Sequence, residues 1–270
     1  MIWVAYRSQR AQLFVLGGLL LIGGTLLALL HFSQAAYIGS DALLERCVGL
    51  SRYPLECMPP VNVFQDRYYD LMKAAELVLI AVPALIGVFA AAPLFSRELE
   101  HGTHVLSLTQ SVSRSRWLLT KTAVSALPAV VVVSVLSWST RGSIGSVGNA
   151  GPDNEGVFSF IAHDNSGVLP AVYVIFAVAL GVFAGVATKH AVGAMAITLA
   201  GFALSRWLVV ELLRQPMANA VAGREGGRYY STLMSPEHFW PMQLIESVLF
   251  LVVAGLLLAG AVRLLSDRVS

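Results

Sequence analysis

Six long apolar runs constrain the fold of this chain more than any other feature. They are Ala11–Phe32, Ala74–Phe95, Thr122–Ser139, Val168–Thr188, Ala191–Val210 and Leu244–Val262. Each run is close to the ~20 residues that an α-helix needs to cross about 30 Å of hydrocarbon. The runs are continuous rather than alternating, which favours helices over the strands of a membrane barrel. The sequence therefore predicts an all-α, multi-pass membrane protein in which residues 1–270 form a single transmembrane domain with six transmembrane helices.

The composition agrees with a protein embedded in a lipid bilayer. Charged residues make up 13% of the chain, whereas a soluble domain averages roughly 25%. The net charge of +2 is too small to indicate a nucleic-acid partner. Arg7 and Arg10 before the first run resemble the start of a signal peptide. That run exceeds the roughly 7–15 residues of a signal-peptide core, so we expect it to be retained as a span.

The distribution of charge predicts that both termini lie in the cytoplasm. The inner segments would be 1–10, 96–121, 189–190 and 263–270, with nine basic and three acidic residues. The outer segments, mainly the loops 33–73, 141–167 and 211–243, also hold nine basic residues when Arg206 is counted. They are more than twice as long and hold thirteen acids. The density of Lys and Arg thus follows the positive-inside rule.

The only two cysteines, Cys47 and Cys57, lie in the predicted outer loop 33–73. On the outer face of a cell membrane they could form a disulfide, although two free thiols remain the alternative. We expect no metal site, because no third and fourth ligand has suitable spacing.

Three ionisable residues lie within or at the ends of the predicted spans: Glu76, Arg206 and Glu246. Charges in a membrane usually face a partner or water. All three would lie near the outer ends of their helices. One hypothesis pairs Arg206 with Glu76 or Glu246, and the alternative is that each side chain extends to the headgroups.

Small residues recur inside the spans, including Gly181 and Gly185 in a Gly-xxx-Gly pattern. Such residues allow helix backbones to approach closely. We expect them to serve packing within the bundle rather than dimerisation.

A charged cluster separates the second and third runs. It comprises Arg97, Glu98, Glu100, Gly102 and Thr103, and lies in the predicted cytoplasmic segment 96–116. This segment is either a solvated connection or a docking element for a partner. The sequence contains no phosphate-binding loop, no His-Glu-xx-His and no Gly-x-Ser-x-Gly motif, so we expect no catalytic residue in this chain.

The cluster and two further stretches resemble known sequences. The segment PLFSRELEHGTHVLSLTQSVSRSRWLLTK is similar to the region after the second span in membrane subunits of type-2 ABC exporters, particularly short six-span actinobacterial permeases. MIWVAYRSQRAQ resembles their amphipathic N-terminal start, and SPEHFWPMQLIE resembles the beginning of their last span.

The resemblance implies the permease subunit of an ATP-driven ABC exporter in the bacterial cell membrane. By this resemblance, Arg97, Glu98, Glu100, Gly102 and Thr103 would couple the chain to a separate ATPase subunit. That subunit, expected in two copies, would hold ATP and Mg, and this chain would need no cofactor. A second permease, the same or different, would complete the complex. The alternatives are a non-pumping immunity or sensor subunit and an ATP-independent channel or carrier.

Overall fold

A computed structural model of the chain describes residues 9–50, 53–100, 113–152, 160–217 and 238–267. All regular structure within these ranges is helical, and six helices are long and apolar enough to cross a membrane. The predicted all-α fold with six transmembrane helices is therefore confirmed. The α-helices are α1 (Arg10–Gly39), α2 (Ala42–Val48), α3 (Met58–Ile86), α4 (Ala92–Glu100), α5 (Arg114–Gly145), α6 (Phe160–Asp164), α7 (Leu169–Thr188), α8 (Ala191–Val209) and α9 (Phe239–Asp267).

Two π-helical turns extend or join these helices. Gly87–Ala91 joins α3 to α4, so that Leu55–Glu100 forms one helical element of 46 residues. Val210–Arg214 continues α8, and that element extends to Met217. A π-turn inserts an extra residue into a helix and changes which side chains share a face.

Several helices continue well past the apolar runs on the side predicted to be outside. Residues 33–73, predicted as a large outer loop, are mostly helical because α1 extends to Gly39 and α3 begins at Met58. The extensions pack on each other: Phe64, Tyr68 and Met72 of α3 are buried against Tyr37 of α1. Pro59 and Pro60 occupy the first turn of α3, where a helix tolerates proline.

The short helix α2 packs against these helix extensions. The Asp41 carboxylate caps α2 by accepting hydrogen bonds from the backbone N–H groups of Leu43 and Leu44, at 2.9 Å and 3.3 Å. Cys47 at the end of α2 is joined by a disulfide to Cys57, with 5.7 Å between the Cα atoms. Both cysteines are buried.

Helix α7 lies at the centre of the bundle and is buried around most of its circumference. Its closest neighbour is the element that contains Gly87 and Ala92. A Cβ atom placed on Gly181 would lie 2.6 Å from the Gly87 carbonyl oxygen, and one on Gly185 would lie 2.6 Å from the Ala92 carbonyl oxygen. The Gly-xxx-Gly pattern of α7 therefore packs against another helix of the same chain.

Replacing Gly181 by Ala should lower the stability of the bundle. The added methyl group would meet backbone rather than a flexible side chain, and overpacking of this kind typically costs about 1–3 kcal/mol. The measurement is the unfolding midpoint of the purified protein in detergent. The matched control is Gly255→Ala, because a Cβ at Gly255 meets nothing within 4 Å. Equal midpoints for the two variants would contradict this close approach.

Candidate functional site

A buried group of charged side chains lies at the predicted outer end of the bundle. We call it the outer charge cluster, and its members are Asp164, Arg206, Arg214 and Glu246 with the neighbouring Tyr173 and His163. They come from the end of α6, from α7, from α8 and its π-turn, and from α9. All six side chains are buried. The cluster therefore connects four successive helices.

Arg214 is the centre of the cluster. Its Nε donates to Glu246 Oε2 at 3.0 Å, and its Nη2 lies 2.8 Å from Glu246 Oε1. The same Nη2 lies 2.5 Å from Asp164 Oδ1 and 3.1 Å from the Tyr173 hydroxyl oxygen. One guanidinium thus bridges two carboxylates from different helices, a geometry that suits arginine better than lysine.

Arg206 and Tyr173 complete the network. Arg206 Nη2 forms an ion pair with Asp164 Oδ2, and its guanidinium carbon lies 4.0 Å from the centre of the Tyr173 ring. The Tyr173 hydroxyl donates to Glu246 Oε1. Two arginines are balanced by two carboxylates, which is the condition under which buried charges are tolerated.

His163 adds a titratable group beside Glu246, with its Nε2 3.6 Å from Glu246 Oε2. Burial lowers the pKa of His163 below its ordinary value, although the neighbouring Glu246 opposes that shift. Burial thus favours the neutral imidazole beside the two arginines and two carboxylates.

The π-turn explains how Arg206 and Arg214 reach the same carboxylate. They are eight positions apart, which in a regular α-helix would separate them by about 80° around the axis. A π-turn contains one residue more than a regular turn, so the rotation between the two side chains is reduced by one residue step of about 100°. Arg206 and Arg214 then lie within about 20° of each other around the helix axis. The turn at Val210–Arg214 thus places Arg214 above Arg206 on the face that meets Asp164.

The hypothesis that Arg206 pairs with Glu76 or Glu246 differs from the structure. Arg206 forms its ion pair with Asp164, and Arg214 links Asp164 to Glu246. Glu76 contacts a different arginine, with its Oε1 3.4 Å from Arg141 Nη1. Glu76 and Glu246 are fully buried and Arg206 nearly so, which disfavours the alternative that they extend to the headgroups.

Sequence reasoning missed Asp164, Arg214 and Arg141 because all three lie outside the apolar runs. Helices that extend beyond those runs, or a short helix such as α6, carry them into the protein interior. A usable signal was the charge balance, since an arginine near a span end predicts an acidic partner at a similar depth.

At the predicted inner end, two of the residues proposed for coupling, Glu98 and Glu100, have partners within the chain. Glu98 forms an ion pair with Lys121 of α5. Glu100 Oε2 accepts a hydrogen bond from the backbone N–H of Ala191 at 3.3 Å, and its Oε1 lies 3.7 Å from His190 Nδ1. Arg97 is exposed. Gly102 and Thr103 lie outside the described residues.

The comparison with known families identifies the chain. The sequence profile described as "ABC-2 membrane transporter related" matches residues 17–214. This chain belongs to the ABC-2 membrane transporter related family. No curated protein and no solved structure matches the chain significantly. The matched region of this ABC-2-related chain includes Arg97–Thr103 and both arginines of the outer charge cluster, but not Glu246.

The described part of this ABC-2-related chain contains no group of three or more His, Cys, Asp or Glu side chains that could hold a metal ion. The outer charge cluster has equal numbers of charges of each sign, and its contacts connect helices. Its arrangement suits a structural or gating role.

Asp164→Asn should destabilise the protein strongly, because it removes one carboxylate from between two buried arginines. Breaking a buried ion pair from one side costs about 3–5 kcal/mol. Glu211→Gln is the matched control, since Glu211 is an exposed acid in the π-turn that carries Arg214. The measurement is the free energy of unfolding in detergent. The double variant Asp164→Asn with Arg206→Gln should lose less than the sum of the single losses. Strictly additive losses would contradict the pairing.

Proposed function

We propose that this chain is the transmembrane permease subunit of a bacterial ATP-driven ABC exporter and that it couples to a separate ATPase subunit. Membership of the ABC-2-related family and the six long apolar helices support this function. The sequence lacks a phosphate-binding loop, so the energy of ATP would enter from another chain.

The observation that carries the proposal is the way the inner end of α4 is connected. Glu98 holds it to α5 through Lys121, and Glu100 holds it to the turn between α7 and α8. A force applied near residue 100 would therefore act on α5, α7 and α8 at once. That is what a coupling element requires, because small displacements of packed helices are the means by which a bundle changes state.

These contacts indicate different roles for the proposed coupling residues. Glu98 and Glu100 would transmit force within the chain, whereas the exposed Arg97 is available to contact the ATPase subunit. The structure does not describe residues 101–112, and Gly102 and Thr103 keep the coupling role that the family resemblance implies.

The complex we propose contains two permease subunits and two ATPase subunits in the bacterial cell membrane. ATP with Mg would bind between the ATPase subunits, and closure of that pair would move the segment 96–116. The permease helices would then alternate between inward and outward access to the substrate path.

Arg97→Glu should weaken binding of the ATPase subunit by about tenfold, because a reversed charge meets the same partner surface. The experiment co-expresses the chain with an ABC ATPase subunit from the same organism, then measures the co-purified ATPase and its stimulated ATP hydrolysis. Arg263→Glu is the matched control, since Arg263 is an exposed arginine at the inner end of α9.

Equal binding and equal stimulation in Arg97→Glu, Arg263→Glu and the unmodified chain would contradict the coupling role. The double variant Glu98→Ala with Glu100→Ala should also abolish coupling. Because both carboxylates have partners within the chain, its unfolding midpoint must be measured alongside.

A further inference from the structure

A crevice of about 200 Å³ lies between α5 and the turn that precedes α7. We call it the outer crevice. The α5 wall consists of Ser134, Ser137, Trp138 and Arg141, whose spacing of three and four residues places them on one helix face. The opposite wall is formed by residues 165–167 and the first turn of α7.

The guanidinium of Arg141 is the charged group that a ligand would meet in the outer crevice. Its side chain is 19% exposed, whereas the Glu76 carboxylate that it contacts at 3.4 Å is fully buried. Glu76 therefore lies behind Arg141 and holds it in position. Arginine in such a setting favours phosphate or carboxylate oxygens.

Ser137 provides a second, independent indication of a ligand. It lines the crevice and is only 3% exposed, and its hydroxyl makes no hydrogen bond within the described part of the chain. A buried hydroxyl without a partner is unfavourable. A ligand oxygen in the crevice would remove that cost.

The start of α7 adds to the preference for an anion. This helix of 20 residues begins at Leu169, and Pro170 of its first turn lines the crevice. The N-terminus of a helix carries a partial positive charge and favours anionic groups. The crevice thus presents a guanidinium and a hydroxyl and lies beside the start of α7.

The surface below the crevice indicates a lipid rather than a free ion. Trp138 at its mouth is 80% exposed, as is typical of aromatic residues at the headgroup level of a membrane. From there an apolar stripe, Leu127, Val131 and Val135, follows the exposed side of α5 towards the membrane interior. Its four-residue spacing forms a continuous track for an acyl chain.

We propose that the outer crevice binds the phosphate group of a membrane phospholipid, whose acyl chain lies along the Leu127–Val131–Val135 stripe. Arg141 and Ser137 donate hydrogen bonds to the phosphate oxygens, and Trp138 packs at the glycerol level. Phospholipid binding at this site does not require an ATPase subunit. A negative result for the lipid would therefore not contradict the proposed function.

The test is native mass spectrometry of the full chain in a neutral detergent, titrated with phosphatidylglycerol or with diacylglycerol of the same acyl chains. The unmodified chain should bind phosphatidylglycerol at least about tenfold more tightly, because charge-assisted hydrogen bonds form only with the phosphate. Equal binding of the two lipids would overturn the proposal. Displacement of phosphatidylglycerol by millimolar inorganic phosphate would also overturn it, in favour of a free-phosphate site.

Ser137→Leu fills the crevice and leaves the Arg141–Glu76 pair in place. It should weaken phosphatidylglycerol binding by about tenfold. Ser139→Leu is the matched control, because Ser139 is exposed two residues further along α5 and does not line the crevice.

A second variant, Glu76→Gln with Arg141→Gln, removes both charges together and should also lose the preference for phosphatidylglycerol. This double variant tests the proposal if Ser137→Leu does not fold. Unchanged phosphatidylglycerol binding in whichever of these two variants folds would overturn the proposal.

Discussion

The bridging of Asp164 and Glu246 by Arg214 is the interaction on which the outer half of the bundle depends. Charged groups taken out of water need partners with good geometry, and each carboxylate here is reached by a guanidinium from the element formed by α8 and its π-turn. Because the four residues come from three separate elements, the network fixes how α6, α8 and α9 meet around Tyr173 of α7. Any opening of this end must separate or rearrange these pairs.

The glycine contact provides a connection between that end and the proposed coupling region. Gly181 and Gly185 allow α7 to approach the backbone of Gly87 and Ala92, so the two elements are closely packed. The same long element ends at Glu100, next to the start of α8.

The sequence predicts the fold well and the sites less well, for physical reasons. A span must be apolar over about twenty residues, so the six helices are visible directly. Asp164 and Arg214 could not be placed, because they lie in polar stretches whose burial depends on tertiary packing and on a π-turn without a local signal. Residues 33–73 contain no apolar run long enough for a span, yet they are mostly helical because α1 and α3 extend into them. The charged cluster at Arg97–Glu100 was visible, but its contacts with Lys121 and His190 join residues 23 and 90 positions apart.

Site-specific cross-linking in cells tests whether the end of α4 contacts an ATPase subunit. A photo-activated amino acid would replace Arg97 or, as the control, Arg263 in a chain co-expressed with an ABC ATPase subunit from the same organism. We expect position 97 to give a covalent adduct with the mass of one permease plus one ATPase subunit. Position 263 should give much less of this adduct. Equal adduct at the two positions, or none from position 97 while the ATPase is present in the membrane, would contradict it.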